Sequence, residues 1–104
     1  MTERIIIIQD TREQAGYGPL FTSTDFVIDT LQTGDYSVAG FTQEVAVERK
    51  SLSDMIGSLT QGRERFMKEL QRGRAFHRFW IVLEALPQNI LHHQYESAAT
   101  PQSM

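Results

Sequence analysis

The residues best placed to do chemistry are Asp35, Glu48 and Lys50. Gly34-Asp35 is followed by twelve intervening residues and then by Glu48-Arg49-Lys50. Hydrolysis of a phosphodiester needs carboxylates to hold a divalent cation, an activated water, and positive charge against the scissile phosphate. Two carboxylates on neighbouring strands can share Mg²⁺, a hard ion that prefers oxygen ligands and keeps several waters. On a strand, residues two apart face the same side, so Lys50 points into the space that Glu48 lines. Its ammonium can orient or help deprotonate a water, or neutralise a phosphate oxygen. Arg49 points to the opposite side, while its carbonyl lies between the two functional side chains as a further oxygen donor. A surface strand with a Glu–Lys pair would produce the same triplet without any chemistry.

These groups need elements to hold them. Ile5–Ile8 is a run of β-branched residues and reads as a central strand buried on both faces. It gives way to Asp10-Thr11-Arg12-Glu13, a polar cluster at a strand end, where open α/β sheets commonly build sites. Gly16-Tyr-Gly-Pro is a loop. Asp25–Asp29 is a short strand. Gly34-Asp35 turns the chain into a strand at Tyr36–Ala39, and Gly40-Phe-Thr-Gln turns it back through Glu44–Arg49, forming a hairpin. Ser51-Leu-Ser-Asp54 has the shape of a capping box and opens a helix, with Leu52, Met55, Ile56 and Leu59 on one face. Gly62 interrupts it. A second helix runs Arg63–Arg72 with Phe66 and Leu70 inward, and Gly73 closes it. Phe79–Glu84 reads as a second buried strand with Phe79 and Trp80 in the core or at a subunit surface, and Ala85–Leu91 as a loop or helical turn. Thr100-Pro101 looks like a helix start four residues before Met104, which predicts a domain cut short. The order β, β-hairpin, long helix, β predicts an α/β fold, a mixed sheet with helices on its faces.

Bulk properties narrow the function classes. The chain has 104 residues, enough for one domain, and no cysteine, which excludes a disulfide scaffold and a thiolate metal site. No apolar run reaches the ~20 residues of a membrane span, and the start lacks a signal-peptide pattern, so a soluble cytoplasmic protein is expected. Net charge is −3. Yet Arg49, Lys50, Arg63, Arg65, Lys68, Arg72, Arg74 and Arg78 gather most of the cations in one stretch, as a polyanion-binding face would. Glu64–Lys68 and Glu69–Arg72 are also helical ion-pair spacings, the ordinary reading of such a stretch. His92-His93 has no third ligand near it and does not read as a zinc site.

Asp10-Thr-Arg-Glu13, Thr33-Gly-Asp-Tyr36 and Val47-Glu-Arg-Lys-Ser-Leu-Ser-Asp-Met-Ile-Gly-Ser-Leu59 resemble the XPF-type nucleases of the PD-(D/E)XK superfamily. Their hallmark is GD…ERKxxxD, with Asp54 in the final place and Gly62-Arg63 matching the Gly-Arg that follows. The resemblance runs from about Ile5 to Glu84. It implies a restriction-endonuclease-like central mixed sheet flanked by helices, incomplete at the carboxyl end, over a single nuclease domain spanning 1–104. It implies an Mg²⁺- or Mn²⁺-dependent endonuclease that cuts branched DNA such as forks and flaps, in repair or recombination, and usually as a homodimer. Asp35, Glu48 and Asp10 are then the metal-binding carboxylates and Lys50 the catalytic lysine. Arg12, Glu13 and Arg49 complete the catalytic set, with Arg63 and Asp54 as DNA contacts. The chain has no room for the tandem helix-hairpin-helix domains of eukaryotic and archaeal members, so it is more similar to bacterial or phage versions. A non-catalytic DNA- or partner-binding scaffold with the same fold is the alternative, as is a nuclease of the same superfamily that takes linear duplex.

Overall fold

The computed structural model describes residues 5–13, 16–21, 24–93 and 95. Among these, five strands form one mixed sheet. They are β1 (Ile6–Asp10), β2 (Asp25–Asp29), β3 (Tyr36–Val38), β4 (Val45–Ser51) and β5 (Arg78–Glu84), in the order β2-β1-β3-β4-β5. Strand β1 pairs parallel with β2, from Ile6 against Asp25 to Asp10 against Asp29. It pairs antiparallel with β3, and β3 pairs antiparallel with β4 through Tyr36 and Val47. The hairpin read from Gly40-Phe-Thr-Gln is therefore formed. Helices α1 (Leu52–Leu59), α2 (Arg63–Gly73) and the short α3 (Pro87–Leu91) complete the architecture. The chain divides into two compact units, Met1–Glu48 with Gly73–Trp80, and Arg49–Arg72 with Ile81–Met104.

In the first unit the interior forms around the carboxyl half of β1. Ile8, Gln9 and Asp10 are buried, with Leu31, Tyr36, Ser37 and Ala46. The isoleucine run is thus less deeply placed at its start, where Ile5 is 61% exposed. Tyr36 anchors the loop after β1: its hydroxyl accepts from the Tyr17 amide at 2.7 Å, and the two rings stack 5.5 Å apart. Gly18, in a single 3-10 turn (Gly18–Leu20), lies against the Phe26 ring, where a side chain would collide.

In the second unit, the Ser51 hydroxyl accepts the Asp54 amide at 3.1 Å and caps α1, so the forward half of the expected capping box exists. Ile56 of α1 and Phe66 of α2 are the buried apolar residues. Each contributes roughly 1.5–3 kcal/mol by leaving water. The expected break lies at Thr60–Gly62, where the Gly62 amide turns back to the Gly57 carbonyl at 2.7 Å.

Strand β5 departs from expectation. It alternates between exposed and half-buried residues, with Trp80 56% and Val82 39% exposed. It lies at one end of the strand order, so only one of its edges is paired within this sheet. A run of apolar residues reads alike in a covered and an open strand, and Trp80 is not core here. The suggested helix start at Thr100-Pro101 lies outside the described residues.

Candidate active site

Three backbone hydrogen bonds set the geometry of the site. The Asp10 amide donates to the Asp35 carbonyl at 2.8 Å, the Asp35 amide donates to the Val47 carbonyl at 2.8 Å, and the Glu13 amide donates to the Asp10 carbonyl at 3.1 Å. The first two form a row running across β1, the Gly34-Asp35 turn and β4. It brings together Asp10 at the end of β1, Asp35 in the turn before β3, and Val47 of β4, the residue just before Glu48. Gly34 makes the turn with φ +82°, a conformation that L side chains rarely adopt, and a Cβ there would sit 3.0 Å from the Val47 carbonyl. The glycine of Gly34-Asp35 is thus required by the close approach to β4.

Asp10 is 2% exposed and both its oxygens are engaged. Oδ1 accepts from the Leu31 amide at 2.8 Å. Oδ2 accepts from the Arg12 amide at 3.2 Å and from Arg12 Nε at 2.7 Å. Burial alone would push this carboxyl up. The hydrogen bond from the Arg12 side chain, then the Leu31 and Arg12 amides, outweigh it and hold the carboxyl below the ordinary aspartate range. Arg12 in turn donates from Nη2 to the Leu31 carbonyl at 3.0 Å, while its side chain stays 72% exposed. Its guanidinium is held more firmly protonated by Asp10, and further by the charges of Asp35 and Glu48. One cation therefore feels the charge of Asp10, Asp35 and Glu48. Glu13 is half-buried beside them.

The remaining expected residues take other positions. Arg49 forks onto Glu84 of β5, with Nε on Oε1 and Nη2 on Oε2 at 3.2 Å. Lys50 Nζ lies 5.3 Å from the centre of the Phe66 ring. Asp54 is exposed at the start of α1, and Arg63 is exposed as the first residue of α2. Sequence reasoning missed Leu31, Glu84 and Phe66 as the partners of these groups. Leu31 offered no polar signal at all, since both its contributions are backbone atoms.

The donor set can be tested against the ion that the motif implies. Among the described residues, no three His, Asp or Glu side chains are gathered tightly enough to hold a metal. Asp10 is engaged by three donors, so it suits the role of fixing Arg12 better than that of a ligand. Asp35 and Glu48 remain, and Mg²⁺ is commonly bound by one or two carboxylates with waters and substrate phosphate.

A family model for the ERCC4 domain matches residues 9–103. The chain belongs to the ERCC4 domain family. No curated protein matches it in sequence. Among solved structures it is similar to XPF from Aeropyrum pernix in complex with DNA, at 25% identity and a TM-score of 0.68. That match covers 89% of this chain and 44% of the archaeal one, so this chain spans under half the length of that structure. The ERCC4 domain is a restriction-endonuclease-like nuclease domain, and the mixed sheet with flanking helices is the XPF nuclease fold. Among the described residues, no helix is long and apolar enough to cross a membrane.

Proposed function

We propose that this ERCC4 domain hydrolyses phosphodiester bonds in branched DNA with a divalent cation. The observation that carries the reading is the hydrogen-bonded row from Asp10 through Asp35 to Val47, with Arg12 under the joint charge of Asp10, Asp35 and Glu48. Asp35 and Glu48 are the residues that would hold Mg²⁺ or Mn²⁺, whose chemistry is to neutralise phosphate charge and acidify water. Arg12 presents its outward N–H groups to a phosphate oxygen, and Asp10 keeps the fork aimed. Lys50, the lysine of the ERK triplet, carries the ammonium that the proposal assigns to orienting the attacking water or a phosphate oxygen. Glu13 adds negative charge beside Arg12. A DNA-bound relative of the same fold supports DNA as the substrate, and action as a homodimer belongs to the same proposal.

The test is cleavage of an end-labelled flap with Mg²⁺ by the full chain, Asp35→Asn and Glu48→Gln. Both variants should lose more than the roughly 10- to 100-fold typical of residues that merely support a metal ligand. Equal cleavage by all three would refute the assignment. A second reading, a DNA- or partner-binding scaffold without catalysis, draws on the lack of a three-ligand cluster among the described residues. It predicts that Mn²⁺ titrated into the protein, followed by its paramagnetic resonance, stays unbound at Asp35 and Glu48 even with DNA present.

A further inference from the structure

A polar groove lies within the first unit, and none of the proposed site side chains lines it. Its volume is about 280 Å³. Ile8 and Leu31 give it an apolar component, and Asp29, Thr30, Gln32, Thr42 and Gln43 supply the polar one. Leu31 connects the groove to the candidate site, because its amide donates to Asp10 and its carbonyl accepts from Arg12. Whatever occupies the groove therefore lies one residue from the phosphate clamp.

The lining selects the ligand class. It contains no Lys, Arg or His, so a phosphate would meet no positive charge and one carboxylate, Asp29. It does contain two primary amides and two hydroxyls, which offer donors and acceptors to a neutral, flat, hydrogen-bonding group. Among the described residues, no hydrogen bond within the protein engages the side chains of Gln32, Thr42 or Gln43, so they are available to a ligand. The volume is at the small end for ligand pockets, enough for one heterocycle and too small for stacked pairs. Asn and Gln side chains pair with the edges of exposed bases, and apolar side chains cover their faces.

We propose that this groove receives a single unpaired nucleobase of the DNA substrate, next to the phosphate held by Arg12. That DNA supplies the base rests on the nuclease reading, whereas the groove's preference for a nucleobase does not. An enzyme that acts at branch points meets unpaired bases there, and capture of one would place the neighbouring phosphate against Arg12.

The experiment has two arms. In the first, thymidine, deoxycytidine, deoxyadenosine and inorganic phosphate are each titrated into the ¹⁵N-labelled full chain. Nucleosides should shift the amides of Thr30–Gln32 and Thr42–Gln43 saturably, and the Gln32→Ala/Gln43→Ala variant should lose this response while keeping its folded spectrum. Phosphate shifting those amides with no nucleoside response would overturn the proposal, as would nucleoside shifts confined to other residues. In the second arm, a flap with one abasic nucleotide at the junction should bind about tenfold more weakly than the intact flap, the worth of one well-made base contact. The double variant should no longer distinguish them. If wild type binds both flaps equally, the groove assignment fails even where Asp35-dependent cleavage persists. If nucleosides bind and nothing is cut, the groove stands and the nuclease reading fails.

Discussion

Asp10 and Arg12 show how much depends on a single carboxylate. Three donors converge on Asp10, two of them backbone amides, and Asp10→Ala would leave the Leu31 amide without an acceptor in a buried place. Arg12 is 72% exposed and regains water, so the loss falls in the range for an unsatisfied buried donor, about 1–3 kcal/mol, and not in the larger range for a stranded buried charge. Urea unfolding of the variant checks it. The Asp10 pKa is lower in the folded than in the unfolded chain, so the ionised carboxylate favours folding. That contribution is complete above the unfolded aspartate value of 3.8 and disappears as pH falls through the lower folded value. Wild type should lose more stability than Asp10→Asn as pH drops below about 4. Parallel losses would show that the carboxylate is not ionised to any special advantage.

At the scale of elements, the turn before β3 and the cap of α1 are the joints next to Asp35 and Lys50. Gly34→Ala puts a Cβ into the left-handed region and against the Val47 carbonyl. The conformational part alone costs about 1–2 kcal/mol. Because Asp35 follows directly, cleavage should fall further than stability explains, which activity and thermal unfolding of the same preparation would separate. Ser51 ends β4 and caps α1 within one residue of Lys50. Ser51→Ala should cost about 1 kcal/mol and Ser51→Asp should restore it, since either oxygen can accept the Asp54 amide. An alanine variant as stable as wild type would mean that the cap is idle. Arg49 and Glu84 join β4 to β5 through a two-pronged ion pair, which explains a strongly basic residue in the ERK triplet without assigning it chemistry.

The whole molecule carries net charge −3 and is nonetheless proposed to hold a polyanion. The two statements agree only if the cations between Arg49 and Arg78 act locally. Arg63, Arg65, Lys68 and Arg72 along α2 are all exposed. DNA affinity should then fall steeply with salt, by roughly −0.9 in log–log slope for each duplex phosphate neutralised, so three contacts give about −3. Fluorescence anisotropy of a labelled flap across a salt series measures it. A flat dependence would return α2 to the ordinary role of a solvated amphipathic helix.

Much of this was legible in the chain itself, wherever the cause is local. The hairpin at Gly40, the Ser51 cap and the helix break at Gly62 depend on residues a few positions apart, and the structure contains each of those elements. Partnership over distance was not legible. Asp10 reads as a metal ligand in sequence, and in the structure its Oδ1 accepts the amide of Leu31, twenty-one residues away. Arg49 finds Glu84 thirty-five residues on, and Trp80 sits on the exposed side of an alternating strand. Sequence alone determined which side chains this protein carries and which local shapes they take. Tertiary structure decided which carboxylates were spent on holding the site together, because strand order, not spacing, brings distant backbone atoms within hydrogen-bond reach.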